Sequence, residues 1–287
     1  MTPLRLVSVG SSMLVAILLY GARVATVAAA PESAEQHAAA FYFPPTDGAW
    51  ETVEPAASGW DAKALDAALT YAGEQRSSGV VVLHRGRILA ERYWELPPDP
   101  NDPNDRVHRM TTGKTADGHA IEDVASMQKS VMSVLAGIAR GKGLLDFEAP
   151  VSKYLGTGWS KATPEQEAAI TVRHVLGMTS GLKLDGSYEA PPGTKWLYNT
   201  PIYAKSVQIV EKASGLPVAE YTKRWLTDRI GMRDSKWTPR TWVDEPAAVA
   251  AGSRIGNTIG FSTSARDAAR FGLMILAGGC WKNEDVL

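Results

Sequence analysis

The chain has 287 residues, a formal net charge of −1, 45% apolar residues and 21% charged residues. This balance is typical of a globular protein with a substantial core and excludes a disordered chain. The near-neutral charge gives no basis for predicting a nucleic-acid partner. The single cysteine, Cys280, excludes an internal disulfide, and its surroundings indicate a packed residue rather than a nucleophile.

The first thirty residues differ from the rest of the chain. Arg5 precedes a mostly apolar run that ends in small residues, which is the pattern of a secretory signal peptide cleaved after Ala29. The alternative is an uncleaved membrane anchor, but the run is short for a span and is interrupted at Ser11 and Ser12. We therefore predict a signal peptide at residues 1–30, a periplasmic or secreted protein, and no stable membrane span after cleavage.

The first predicted elements follow an irregular segment at residues 31–59, which is rich in Ala, Pro, Glu and Gly. Residues 60–76 have apolar side chains at helical spacing and Asp61 as a candidate cap. Two strand-like runs joined at residues 85–86 predict a β-hairpin. Residues 97–120 are polar and rich in turn residues, which predicts a loop. The TTGKT run inside it lacks both the glycine spacing and the preceding strand of a phosphate-binding loop, so nucleotide binding is rejected.

Helical patterns dominate the second half of the chain. The segment SMQKSVMSVLAGIAR predicts a buried helix that begins at Ser126 and is stopped by Gly141 in a left-handed conformation. Further helices are predicted at residues 170–182, 201–215 and 217–231, and after a serine cap at position 262 or 264. The helix, the hairpin and these later helices predict an α+β domain over residues 60–287.

The catalytic patterns in the sequence are few. There is no G-x-S-x-G elbow, no H-E-x-x-H motif and no Cys/His cluster, so we predict neither a metal nor an organic cofactor. His84 and His174 belong to no motif and are predicted to be packing or surface residues. The remaining signature is S-x-x-K, in which a lysine amine activates a serine, and it occurs at Ser126-Met127-Gln128-Lys129 and at Ser180-Gly181-Leu182-Lys183.

The first S-x-x-K copy is the better candidate. Residues three apart share a helix face, so Ser126 and Lys129 meet across one turn. Burial in an apolar helix would favour the neutral amine that a base requires, and the helix N-terminus offers backbone N–H groups to a developing negative charge. The second copy lies in a turn, where this geometry is not held. The alternative for the first copy is a helix cap at Ser126, with Lys129 directed into solvent.

A residue that relays the proton is also needed. The segment PPGTKWLYNTPIY places Tyr198 just before a predicted helix, and a phenol beside an ammonium group can act as base or acid. Taken alone, Tyr198 fits a packed aromatic residue better than a catalytic one. Read together with Ser126, it becomes the candidate for the proton relay.

In these segments the sequence resembles the superfamily of class C β-lactamases, D-alanyl-D-alanine peptidases and esterases, and within it the branch of 6-aminohexanoate-oligomer hydrolases. The matching segments occur in family order over about residues 60–287: VVVLHRGRILAERYW, VASMQKSVMSVLAGIARGKGLLDFEAPVSKYL, ITVRHVLGMTSGL, PPGTKWLYNTPIYA and FSTSARDAARFGLMILAGG. The resemblance implies an α+β fold of the β-lactamase/DD-peptidase type, with an antiparallel sheet flanked by helices and a mostly helical subdomain. It also implies a serine hydrolase that cleaves a small-molecule ester or amide through acylation of Ser126, helped by Lys129 and Tyr198.

The sequence departs from this family in two places. In the family's Tyr-x-Asn element, Thr200 occupies the asparagine position and Asn199 precedes it, so either residue is expected to contact substrate. Trp196 is expected to line an apolar acyl or alkyl pocket, or else to be a packing residue.

The second departure is the third motif, Lys-Thr-Gly or its equivalent, which does not occur after Ser126, and the resemblance then implies that the C-terminal strands and closing helix are absent. We therefore expect a fragment: a truncated gene, an incomplete gene model or half of an assembly. The alternatives to an active hydrolase are a penicillin-recognising or sensor-like binding protein with poor turnover and a truncated inactive remnant. The oligomeric state cannot be read from the sequence.

Overall fold

The computed structural model describes residues 41–99, 101, 109–240, 259–282 and 284–287. The predicted signal peptide at 1–30 lies outside the described residues, as does the first third of the predicted irregular segment. Over the part that is described, none of the helices combines the length and the apolar character needed to cross a membrane.

The N-terminal elements are a helix and a β-hairpin, as the sequence predicts. Helix α1 (Ala62–Glu74) begins where the Asp61 carboxylate accepts hydrogen bonds from the first-turn backbone N–H groups. Strands β1 (Gly79–His84) and β2 (Arg87–Tyr93) pair antiparallel, and both residues of the two-residue turn have positive φ. A side chain at Gly86 would collide with the backbone of Tyr42, since an added Cβ would lie 1.8 Å from its carbonyl oxygen.

The hairpin lies between two layers of helix because its side chains alternate between its faces. Val80, Val82 and Leu89 pack with leucines of α1 on one side. Val81 and Ile88 pack on the other side against a helix near the end of the chain, α10 (Ala265–Leu276). This α10 is the last predicted helix, and Ser264, rather than Ser262, caps it.

The prediction of a continuous loop at residues 97–120 is wrong. Two strands, β3 (Thr111–Lys114) and β4 (Ala120–Asp123), occur there and join a four-stranded antiparallel sheet in the order β3-β4-β6-β5. The other two strands are β5 (Lys236–Pro239) and β6 (Ile259–Thr263). The missed strands β3 and β4 are only four residues long, and β3 is polar, so the local sequence gives a weak preference for β-structure that pairing within the sheet overrides.

A 3₁₀ turn (Ala125–Met127) leads from β4 into the longest helix, α2 (Gln128–Gly141). The predicted start at Ser126 is therefore wrong by two residues. Its predicted stop is also shifted, because the left-handed glycine is Gly143 rather than Gly141.

In the described part of the chain after α2, short helices alternate with turns and loops, and α2 is buried against them in the main hydrophobic core. The helices that follow α2 are α3 (Ser152–Leu155), α4 (Pro164–Ala168), α5 (Val172–Leu176), α6 (Thr200–Tyr203), α7 (Lys205–Ser214), α8 (Val218–Thr222) and α9 (Asp228–Ile230), with a π-helical turn (Lys223–Thr227) between the last two. A short hairpin of β7 (Cys280–Trp281) and β8 (Glu284–Asp285) follows α10. Cys280 is buried there, and its thiol donates to Asp285. The predicted α+β architecture, an antiparallel sheet flanked by helices with a mostly helical subdomain, is confirmed.

Candidate active site

The 3₁₀ turn before α2 presents Ser126 at the protein surface. Lys129 lies in the first turn of α2, three residues after Ser126, so the two side chains share a face, and the Lys129 ammonium lies 3.1 Å from Ser126 Oγ. Ser126 is exposed and Lys129 is half-buried. The alternative in which Lys129 extends into solvent is therefore not what the structure contains.

A second polar group reaches the same oxygen from the helical subdomain. The Tyr198 hydroxyl donates a 2.7 Å hydrogen bond to Ser126 Oγ, across 72 residues of sequence. The Lys129 ammonium lies 5.0 Å from the centre of the Tyr198 ring. Ser126, Lys129 and Tyr198 thus form one constellation, in which both neighbours touch the serine oxygen.

The loop that carries Tyr198 is fastened to the turn after α5. The backbone N–H of Leu197 donates to Met178 and that of Gly193 donates to Thr179. These bonds fix the loop on both sides of residue 195, so Tyr198 is positioned by backbone contacts rather than by burial of its ring.

The surroundings of Tyr198 change its acidity. Burial opposes ionisation of the phenol, but its polar interactions with Ser126, Lys129 and Thr200 and the positive charge of Lys129 favour it. The net effect lowers the pKa of Tyr198 below its usual value. A phenol of this kind can accept and return a proton closer to neutral pH than an ordinary tyrosine can.

The two candidates for the family asparagine have different surroundings. Asn199 is buried and caps α6, and its amide group donates to the carbonyl oxygens of Leu182 and Lys183 and accepts from Ile202 N–H. Both N–H donors of Asn199 are therefore used inside the protein, and the expectation that it contacts substrate does not fit this geometry. Thr200 is the residue of the pair that helps to lower the pKa of Tyr198.

Trp196 lies beside the constellation. Its side chain is 64% exposed, and its ring centre is 6.5 Å from that of Tyr198. This exposure excludes the alternative in which Trp196 is a core packing residue.

The other residues considered from the sequence lie elsewhere. Ser180 of the second S-x-x-K copy is buried and accepts a hydrogen bond from Leu182 N–H, whereas Lys183 is exposed. His84 accepts from Trp60 and His174 participates in the cap of α5, so both are structural. No group of three or more His, Cys, Asp or Glu residues suited to a metal ion occurs in the described ranges.

Sequence reasoning missed the residues that hold the constellation from behind. Tyr203 donates a 2.7 Å hydrogen bond to the carbonyl oxygen of Lys129. Asp123 accepts a 2.9 Å hydrogen bond from the N–H of Ala125, the residue before the serine. No motif marks either residue. In the sequence, the one indication of their role is that a polar residue lies near a candidate site residue.

Comparison with known proteins gives a consistent picture of the fold. A candidate β-lactamase from Bacteroides dorei matches with a TM-score of 0.57 and 19% identity over 79% of this chain and 66% of its own. A candidate 6-aminohexanoate-dimer hydrolase from Bacillus anthracis matches with a TM-score of 0.58 and 16% identity over 86% of this chain and 67% of its own.

Sequence comparison points in the same direction. Penicillin-binding protein 4* of Bacillus subtilis is 24% identical over 156 residues, 44% of this chain. The chain spans 39% and 33% of the curated relatives that it matches. A sequence profile of the Beta-lactamase family matches residues 62–284, which include the whole constellation. The chain therefore belongs to the β-lactamase family.

Proposed function

We propose that this protein is an exported serine hydrolase that cleaves a small-molecule ester or amide through an acyl-serine intermediate. The observation that carries the proposal is the pair of contacts to one exposed serine oxygen, from Lys129 at 3.1 Å and from Tyr198 at 2.7 Å. Covalent catalysis requires a nucleophile, a base within hydrogen-bond reach of it, and a second group that orients the base.

The reaction begins when Ser126 loses its proton to Tyr198, whose ionised form Lys129 stabilises. Ser126 Oγ bonds to the substrate carbonyl carbon, and the backbone N–H of Ser126 is the donor that we assign to the resulting oxyanion. The carbon–leaving-group bond then breaks as Tyr198 protonates the departing oxygen or nitrogen, which leaves an acyl-serine. Water attacks the acyl carbon, returns a proton to Ser126 through the same residues and releases the acid.

The proposed substrate class is a small-molecule ester or amide with an apolar group. The exposed Trp196 ring, 6.5 Å from Tyr198, offers an apolar surface beside the reacting oxygen. The names of the similar proteins, a β-lactamase, a penicillin-binding protein and an aminohexanoate-dimer hydrolase, all refer to amides or to their binding. Thr200, which helps to lower the pKa of Tyr198, is the polar residue that we assign to substrate contact beside Tyr198.

Export rests on the pattern of residues 1–30. The basic residue, the apolar run and the small-residue exit support a periplasmic or secreted location for the mature chain. N-terminal sequencing of the protein recovered from the periplasm or the medium tests this; a mature protein that begins at Pro31 or earlier within the alanine run supports export, and an intact Met1 in the cytoplasm contradicts it.

A second candidate is a binding protein that is acylated but turns over slowly. Its support is the similarity to a penicillin-binding protein. Turnover distinguishes the two: with a chromogenic ester in tenfold excess, a hydrolase releases chromophore well beyond one equivalent, whereas a binding protein stops at one.

Variants test the role of the serine in that assay. Ser126→Ala is expected to abolish both the first equivalent and the turnover. Ser130→Ala, which removes an exposed hydroxyl from the first turn of the same helix, is the matched control and is expected to retain both. Hydrolysis by Ser126→Ala at the rate of the parent would refute the proposed function.

A further inference from the structure

A buried ion pair lies directly behind the candidate nucleophile. Arg240, the residue after β5, donates to both carboxylate oxygens of Asp123, at 2.6 and 2.9 Å. The two side chains are only 7% and 1% exposed. Burying two charges costs solvation that their attraction often fails to repay, so such a pair is weak support for a role in stability alone.

The same carboxylate also holds the turn that presents the serine. Asp123 Oδ1 accepts the N–H of Ala125 at 2.9 Å. Ala125 has a φ of 46°, in the left-handed region that residues with a side chain rarely adopt. An unfavourable backbone conformation persists where its surroundings enforce it, and here the enforcing contact comes from the carboxylate. Ser126 follows immediately, so the strained turn sets the direction of its side chain.

The guanidinium of Arg240 also reaches the other side of the serine. Its Nη2 donates to Gln128 Oε1 at 2.8 Å, and the same oxygen accepts the N–H of Phe261 at 3.2 Å. Gln128 lies between Ser126 and Lys129 in the chain. Arg240 therefore fixes the residue three positions before the serine and the residue two positions after it.

The Asp123 carboxylate is closely packed against the neighbouring strand. A Cβ on Gly260 of β6 would lie 2.1 Å from Asp123 Oδ2, so the carboxylate rests against a strand that has no room for a side chain there. The ion pair is thus held between β4, β5 and β6. Because it also bonds Ala125 and Gln128, it fixes the start of α2 relative to the sheet.

We infer that Arg240 is a positioning residue for the proposed reaction. Its bonds to Asp123 and Gln128 hold the turn that carries Ser126 and the helix start that carries Lys129 in their relative positions. The planar guanidinium is required because it bonds three oxygens at once. A lysine has one nitrogen at this point and cannot reproduce that geometry. The inference rests on the proposed function, since it concerns the reactivity of the same serine.

The test is the rate and the endpoint of labelling by a serine-reactive fluorophosphonate, followed by intact mass. Displacing reacting groups by about 1 Å costs on the order of 100-fold in rate, so Arg240→Lys is expected to label about 10- to 100-fold more slowly. The endpoint is expected to stay at one adduct per chain. A loss of folded protein would instead lower the endpoint, which separates positioning from stability.

Gln128 supplies a second pair of variants if Arg240→Lys does not fold. Gln128→Met keeps the length of the side chain but removes the acceptor oxygen, and is expected to slow labelling. Gln128→Glu keeps an acceptor for Arg240 and is expected to restore the rate to within about threefold of the parent. Arg266→Lys, the same change in the ion pair of Arg266 with Glu91, is the matched control and should label like the parent.

Parent-like labelling rates in Arg240→Lys and Gln128→Met would overturn the inference while leaving the proposed function intact. Ser126→Ala, run in the same experiment, keeps the two questions apart. If that variant still takes up the probe, the proposed function fails, whatever the Arg240 variants do.

Discussion

Replacing Tyr198 with phenylalanine removes a single oxygen, the one that donates 2.7 Å to Ser126 Oγ. Proton transfer by a positioned side chain contributes about 10²- to 10⁴-fold, which corresponds to roughly 3–5 kcal/mol of activation free energy. We expect kcat/KM for ester hydrolysis to fall by that factor. The side chain is 47% exposed and the ring is retained, so the free energy of unfolding should change by no more than about 1 kcal/mol.

The pH profile adds a second readout. Because the site lowers the pKa of Tyr198, the ionised form is populated below the usual range of a tyrosine, and the parent rate should rise with pH through that lowered value. The rise should be missing in Tyr198→Phe. Tyr203→Phe is the matched control, because it removes a hydroxyl bonded to the backbone of Lys129. It should lower the free energy of unfolding but keep the rise of the rate with pH. A Tyr198→Phe variant with parent activity and an unchanged profile would refute the reasoning.

Three further predictions concern stability and are measured by urea unfolding. Gly86→Ala places a methyl group 1.8 Å from the Tyr42 carbonyl oxygen at positive φ, and should cost more than about 2 kcal/mol; a change below 0.5 kcal/mol, within the usual range of neutral surface substitutions, contradicts this. Asn199→Ala removes a buried cap and should cost about 2–4 kcal/mol while the folded fraction keeps its KM; a raised KM at unchanged stability would instead support substrate contact. Burial raises the pKa of Asp267 to about 6 from 3.8, so the folded state holds a proton that the unfolded state loses between these values. Stability relative to Asp267→Asn should therefore be highest below pH 4 and decline by on the order of 2 kcal/mol as pH rises through 6, and a difference independent of pH would contradict the assignment.

The long elements could be predicted because local patterns decide them. Asp61 lies before apolar residues at helical spacing, and the turn at residues 85–86 joins two strand-like runs. The S-x-x-K copy at Ser126 could be preferred over that at Ser180 for the same reason, since only the first opens a sustained helical pattern. The structure indeed brings Lys129 to Ser126 and leaves Lys183 exposed.

The sequence could not show what depends on contacts between distant residues. Strand β3 consists of polar residues whose pairing is set by β4, and Ala125 adopts a left-handed conformation because of a carboxylate and a sheet. Asn199 lies one residue before the family's asparagine position and matches it only in residue type. Its burial against Leu182 follows from how two loops pack. Arg240, 114 residues beyond Ser126, has no local signal at all.

The central claim is that Ser126 is the nucleophile and that Lys129 activates it. Its most direct test is labelling of the mature chain with a fluorophosphonate, followed by peptide mapping and a rate comparison with Lys129→Ala. We predict one adduct, on the peptide that contains Ser126, formed at least 100-fold more slowly without the lysine amine. An adduct on any other residue, or an equal rate in Lys129→Ala, would contradict the account.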